Sequence, residues 1–163
     1  MALTIAHGSI PDIGEADRII REAADWLTNA GMTLWGPEEI SFEALARVAR
    51  EGELVIGRVR GEAAACMYLH KEDTLFWPEA RAGEAFYIHR LAVARKFKGL
   101  GFASEMLDFA AEQARSAGCA YLRLDCEPRE KLLALYRGAG FERIDLEPIQ
   151  VGQHFVVRQE KRV

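Results

Sequence analysis

The chain has 163 residues, half of them hydrophobic, and a formal net charge of −4, which suits one domain, 1–163, with a sizeable core. Its pI near 5.6 argues against a general nucleic-acid binder. The mean hydropathy of −0.09, with no apolar run near ~20 residues, excludes a membrane span.

Met1 to His7 lacks the basic flank and long apolar stretch of a signal peptide, so the cytoplasm is the expected compartment. Leu3 to His7 reads as an edge strand. Ala16, Ile19, Ile20, Ala23, Trp26, Leu27 and Ala30 then recur at helical spacing. Asp12 is placed to cap that helix, with Glu15 completing a capping box and Gly31 ending it. A short helix is predicted over Phe42 to Arg50. Glu53 to Val59 and Glu62 to His70 read as an antiparallel hairpin about the tight Arg60-Gly61 turn.

Glu84 to Val93 is the next strand, rich in aromatic and β-branched residues. Alternation places Tyr87, His89, Leu91 and Val93 on one face, and Phe86, Ile88, Arg90 and Ala92 on the other. A glycine-bearing turn leads into a helix over Gly101 to Ala117, with a wide apolar stripe including Phe102, Met106, Leu107, Ala110 and Ala114. Ala120 to Cys126 is a strand, parallel to the one before it as in a β-α-β unit. Pro128 suits the first turn of a helix reaching Arg137, which Gly140 terminates. Phe141 to Leu146 and Gln150 to Val157 are the final strands. The expected order is β-α-α-β-β-β-α-β-α-β-β, a mixed α/β sheet.

Cys66, Cys119 and Cys126 form neither a C-x-x-C pair nor a metal cluster, and read as small buried hydrophobes. Neither a zinc constellation nor a Ser-His-Asp order is found, so no metal is expected.

The turn carries the chemistry. Arg95, Lys96 and Lys98 precede Gly99-Leu100-Gly101, which opens a helix. The first amides of a helix point outward with partial positive charge, and glycines let a phosphate approach the backbone. The same residues also suit an ordinary strand-to-helix turn with solvated lysines. They half-match a dinucleotide fingerprint as well, with Asp125 near the end of the following strand as a ribose-binding acid. Ser104 stands where that fingerprint needs its third glycine, and the hairpin upstream does not fit it.

Three segments in order resemble the GNAT superfamily of acyl-CoA N-acyltransferases. Lys98-Gly99-Leu100-Gly101-Phe102-Ala103 is similar to its cofactor motif, with lysine where arginine or glutamine is usual. Tyr87-Ile88-His89-Arg90-Leu91-Ala92-Val93 resembles its central strand. Leu135-Tyr136-Arg137-Gly138-Ala139-Gly140-Phe141 resembles its second signature. Arg129 departs from the family's usual asparagine.

The resemblance implies a central mixed sheet flanked by helices, and an N-acetyltransferase using acetyl-CoA. Leu91, Ala92 and Val93 are then expected to hold the pantetheine, and Lys98 to Ser104, including Leu100 and Phe102, the pyrophosphate. Tyr136 is implied beside the cofactor as the acid for the departing thiolate; from the residues alone it suits a core tyrosine. His89 is implied as the base for the amine, or else is a structural histidine of the sheet. Glu84 and Asp73 are further acids for that role, and Tyr87 stands where other members carry a base glutamate. Trp35 and Trp77, in loops, either line the acceptor pocket with Tyr87 or anchor their loops to the core. The acceptor is a small-molecule or peptide amine, and exposed edge strands suit a homodimer. A nicotinamide-dependent oxidoreductase and a non-catalytic acyl-CoA sensor are the competing readings.

Overall fold

The structure, a computed structural model, describes residues 1–163. Strand β1 (Thr4–His7) leads through a 3-10 turn into helix α1 (Ile13–Asn29), followed by α2 (Phe42–Arg50), β2 (Leu54–Val59), β3 (Glu62–His70) and β4 (Ala85–Val93). Helix α3 (Phe102–Ser116), β5 (Tyr121–Cys126), α4 (Glu130–Gly138), β6 (Glu142–Arg143), β7 (Ile149–Val151) and β8 (His154–Arg162) complete the chain. The strands are hydrogen-bonded in the order β1-β2-β3-β4-β5-β8-β6, with β7 paired to β8. The sheet is mixed, as expected: β1, β2 and β3 run antiparallel, β4 and β5 parallel, β5 and β8 antiparallel.

The chain gathers into two compact units. Met1–Tyr68 with Arg90–Met106 form the first, and Leu69–His89 with Leu107–Val163 the second.

In the first unit, α1 buries Ile13, Ala16, Ile19, Ile20 and Ala24. Fully burying an isoleucine contributes about 1.5–3 kcal/mol. The predicted stripe runs too far: Trp26 is exposed, its ring covered by the Arg95 guanidinium at 3.8 Å. The cap also differs. Asp12 Oδ2 accepts the Ser9 backbone N–H at 2.7 Å, so the box closes one turn earlier, on Ser9. Glu15 and Asp12 instead pair with Arg58. Helix α2 spans the predicted residues and is capped by Ser41, whose hydroxyl accepts the Ala44 N–H at 3.2 Å. The β2–β3 hairpin turns on Arg60 and Gly61, both at positive φ, which matches the twist of paired strands.

In the second unit, β5 pairs with β4 in parallel register from Ala85↔Tyr121 to Ile88↔Leu124. Helix α4 begins at Glu130, with Arg129 as its cap residue, so Pro128 lies ahead of the helix rather than in its first turn. The two expected C-terminal strands are three. Gly152, at φ +61, turns β7 back onto β8, so the predicted strand Gln150 to Val157 is a hairpin. All three cysteines are buried and unpaired. No helix is long and apolar enough to cross a membrane.

Candidate active site

The glycine turn lies in the first unit. Ala94 donates its N–H to the Ala64 carbonyl at 2.8 Å, ending β4, and a 3-10 turn over Arg95–Phe97 follows. Phe97 and Phe102 are buried with ring centroids 5.9 Å apart, which ties both ends of the turn to the core. Between them Lys98, Gly99, Leu100 and Gly101 stand exposed. Gly99 and Gly101 have φ of +79° and +82°, a region that costs a residue bearing Cβ about 1–2 kcal/mol. A Cβ on either meets nothing within 4 Å, so the backbone here faces open space.

Glu105 donates the first N–H into α3, to Gly101 O at 3.2 Å. The amides of Phe102, Ala103 and Ser104 lie ahead of that bond, without partners inside the helix. Among the basic residues of the turn, Arg95 stacks on Trp26 and Lys96 pairs with Glu62. Lys98 pairs with no acid. The arrangement suits an anion at the positive end of the helix.

Strand β4 corrects the expected alternation. Arg90 sits inside it at φ +52, a left-handed residue that interrupts the pleat. The strict face assignment of Tyr87, His89, Leu91 and Val93 therefore does not carry past Arg90. Arg90 Nε donates to the Glu39 carbonyl at 3.1 Å, and its guanidinium lies 5.8 Å from the Trp35 ring. Trp35 is half-buried against the first unit's core. Leu91 and Val93 are half-buried and Ala92 is buried.

The second unit carries the titratable cluster. His89 Nε2 lies 2.9 Å from Asp73 Oδ2, and donor atoms of Asp73, His89 and Asp125 all lie within 4.8 Å of one another. The His70 ring stands 5.3 Å from the His89 ring and Phe76 6.3 Å from it. The convergence of these groups was hidden in the sequence. Asp73 is sixteen residues from His89, in a loop, and no motif spacing links the two.

Tyr87 and Trp77 are interior residues, 2% and 3% exposed. The Arg123 guanidinium lies 4.6 Å from the Trp77 ring and that of Arg158 5.1 Å from it. Arg123 Nη1 also reaches Tyr87 Oη at 3.5 Å and Glu84 at 2.9 Å. Burial pushes the Tyr87 phenol up, outweighing the Arg123 hydrogen bond. Trp77 thus anchors its loop and does not present an open wall, and Glu84 is engaged by Arg123.

Tyr136, on α4, is buried, with its ring edge-on to Phe141 at 5.9 Å. Burial, with the neighbouring Cys126 and Asp125, holds its phenol well above the usual range, so it keeps its proton. Arg129 turns back to Glu127 at 2.7 Å.

The chain is thus an α/β fold with a mixed sheet, an exposed glycine turn after β4 and a buried tyrosine on the helix after β5. Comparison with known proteins makes the assignment. A profile of the acetyltransferase (GNAT) family matches residues 16–141, and the chain belongs to that family as an N-acetyltransferase. It is 26% identical over 131 residues to the uncharacterized N-acetyltransferase YesJ of Bacillus subtilis (strain 168), covering 76% of this chain and 73% of that one. Its fold is similar to a GNAT-family acetyltransferase of Listeria monocytogenes (TM-score 0.83, 21% identity, 99% of this chain and 95% of that one). It is also similar to the PaiA N-acetyltransferase of Thermoplasma acidophilum, solved with coenzyme A (TM-score 0.76, 18% identity, 100% of both chains). A third likeness is to yncA of Salmonella typhimurium, solved with acetyl-CoA (TM-score 0.75, 13% identity, 99% and 94%). Nothing in these comparisons supports the oxidoreductase or sensor readings.

Proposed function

We propose that the protein transfers the acetyl group of acetyl-CoA directly to a primary amine of a small molecule or peptide. The observation that carries this is the exposed turn Lys98 to Ser104. Two left-handed glycines there open the backbone to free space, next to the first amides of α3 and an exposed lysine. Coenzyme A and acetyl-CoA in the structures of PaiA and yncA support the choice of cofactor.

In this reading the turn takes the pyrophosphate, and the backbone of Leu91, Ala92 and Val93 takes the pantetheine. The amine nitrogen attacks the thioester carbonyl carbon and gives up a proton to His89. The tetrahedral intermediate then collapses, the C–S bond breaks, and the thiolate takes the Tyr136 proton. Burial keeps the Tyr136 phenol protonated, so a proton is present on it when the thiolate departs. Trp35, half-buried under Arg90, is the aromatic residue we place nearest the acceptor.

The test is thiol release from acetyl-CoA with a panel of amines, beside thermal shifts with acetyl-CoA and NAD(H). The expected result is stabilisation by acetyl-CoA alone and amine-dependent thiol release. Stabilisation by NAD(H), or tight acetyl-CoA binding without turnover on any amine, overturns it.

A further inference from the structure

The loop between β3 and β4 holds an acid that the reaction above leaves unused. Asp73 is half-buried, its side chain 7% exposed, with Oδ2 at 2.9 Å from His89 Nε2. Its Oδ1 accepts the Phe76 backbone N–H at 3.1 Å, and its carbonyl accepts the Trp77 N–H at 3.0 Å. The carboxylate is therefore fixed by the turn that it opens. Burial acts to raise its pKa, but the hydrogen bond and charge of His89, with the Phe76 amide, prevail and hold it below the usual value. An ionised carboxylate only accepts hydrogen bonds. The ring nitrogen facing it must then carry the proton, and the other nitrogen keeps its lone pair.

We propose that Asp73 is the positioning residue of His89, holding the imidazole as the Nε2–H tautomer so that Nδ1 accepts the proton of the acceptor amine. The proposal rests on the reading of His89 as the base. When Nδ1 takes the proton the ring becomes an imidazolium, and Asp73 lies in hydrogen-bond contact to stabilise it. The proton then leaves Nδ1 to solvent, and Asp73 stays ionised throughout.

Several charged and titratable groups stand around His89. Asp73 comes from the loop, Asp125 from β5, His70 from the end of β3, and Tyr87 lies two residues earlier on β4 itself. Asp73 is hydrogen-bonded to the ring at 2.9 Å. The pairing is also rigid on the His89 side, because a strand carries the ring and Phe76 stands against it.

Nitrogen NMR of the imidazoles tests the tautomer directly in the unmodified protein. The His89 signal is assigned by its loss in His89→Gln, and the expected form is Nε2–H. An Nδ1–H form overturns the proposal without any variant at Asp73. Asp73→Asn keeps the shape of the side chain and removes its charge. It is expected to convert the ring to the other tautomer or a mixture, and to lower kcat at least ~10-fold with KM for acetyl-CoA unchanged. The acid limb of the pH profile should change in this variant, because the group facing the imidazole no longer carries a charge.

An unchanged tautomer and an unchanged limb in Asp73→Asn mean that Asp73 serves the loop only, and overturn the proposal. If His89→Gln keeps the wild-type acid limb, the base reading itself falls, and the proposal with it. Zinc added to the metal-free protein provides a further check. If zinc raises the Tm of the wild type but not of Asp73→Asn, the cluster binds a divalent cation in place of the Nε2 proton, and the proposal is overturned.

Discussion

Asp145 grips Arg158 with both carboxylate oxygens. Oδ1 accepts Nη2 at 3.0 Å, and Oδ2 accepts Nε at 3.1 Å and the Arg158 backbone N–H at 2.9 Å. The pair joins the stretch between β6 and β7 to β8, and the same guanidinium reaches the Phe76 carbonyl at 3.2 Å. One fork thereby holds the loop that also carries Asp73.

Burial acts to raise the Asp145 pKa, yet the Arg158 hydrogen bonds lower it below the usual carboxylate value. The folded state therefore favours the ionised form. That stabilisation is fully present above the unfolded pKa of ~3.9 and is lost as pH falls through the lower native value. Asp145→Asn should cost ~1–3 kcal/mol near neutral pH. Urea unfolding at neutral pH and at about pH 3 checks this. The gap between variant and wild type should narrow in acid, and a constant gap contradicts the assignment.

Gly101→Val adds a branched side chain where φ is +82 and no neighbour obstructs it. The cost to folding is therefore backbone strain alone, about 1–2 kcal/mol, read as a lower Tm of a still cooperative transition. Acetyl-CoA affinity should fall at least ~10-fold, ~1.4 kcal/mol, because the side chain occupies the space in front of the helix amides. Calorimetry that finds wild-type affinity in a folded variant places the phosphates elsewhere.

Lys98 is the one cation of the turn with no protein partner, so it is the one to weigh against phosphate. Lys98→Ala should weaken coenzyme A by roughly tenfold, the scale of one charge-assisted hydrogen bond. The pantetheine fragment, which lacks the pyrophosphate, should bind the variant and the wild type alike. Equal losses for both ligands remove Lys98 from the phosphate site.

Tyr136→Phe deletes one hydroxyl and leaves the edge-on contact with Phe141 in place. The loss should fall on kcat, ~10²–10⁴-fold, with acetyl-CoA affinity near the wild-type value. Normal turnover in this variant assigns the proton to water.

Local signals predict the structure where the structure is local. Phe42–Arg50 and Glu62–His70 carry a cap, a periodicity or a two-residue turn within the segment itself, and both form over the predicted residues. The glycine turn and the tyrosine signature were legible for the same reason, since each lies within one short stretch.

What escaped is set by partners distant in sequence. Arg90 adopts a left-handed φ in mid-strand without being glycine, and its side chain is held by Glu39, fifty-one residues away. Trp77 is approached by guanidiniums from two strands distant in sequence. Asp73 meets His89 only because the β3–β4 loop folds back. The C-terminal hairpin is not legible because Gly152 sits inside an apparent strand, Gln150 to Val157, where it is in fact the turn.

The three buried cysteines have a practical consequence. Burial pushes the Cys66 thiol up to about 12 and Cys126 up to about 11, and raises Cys119 as well. A protonated, enclosed thiol is a poor nucleophile toward an aromatic disulfide dye. Coenzyme A set free in each turnover carries an exposed thiol in open solution. The native protein is thus expected to react slowly with such a dye, so colour that develops quickly with substrate present reports product.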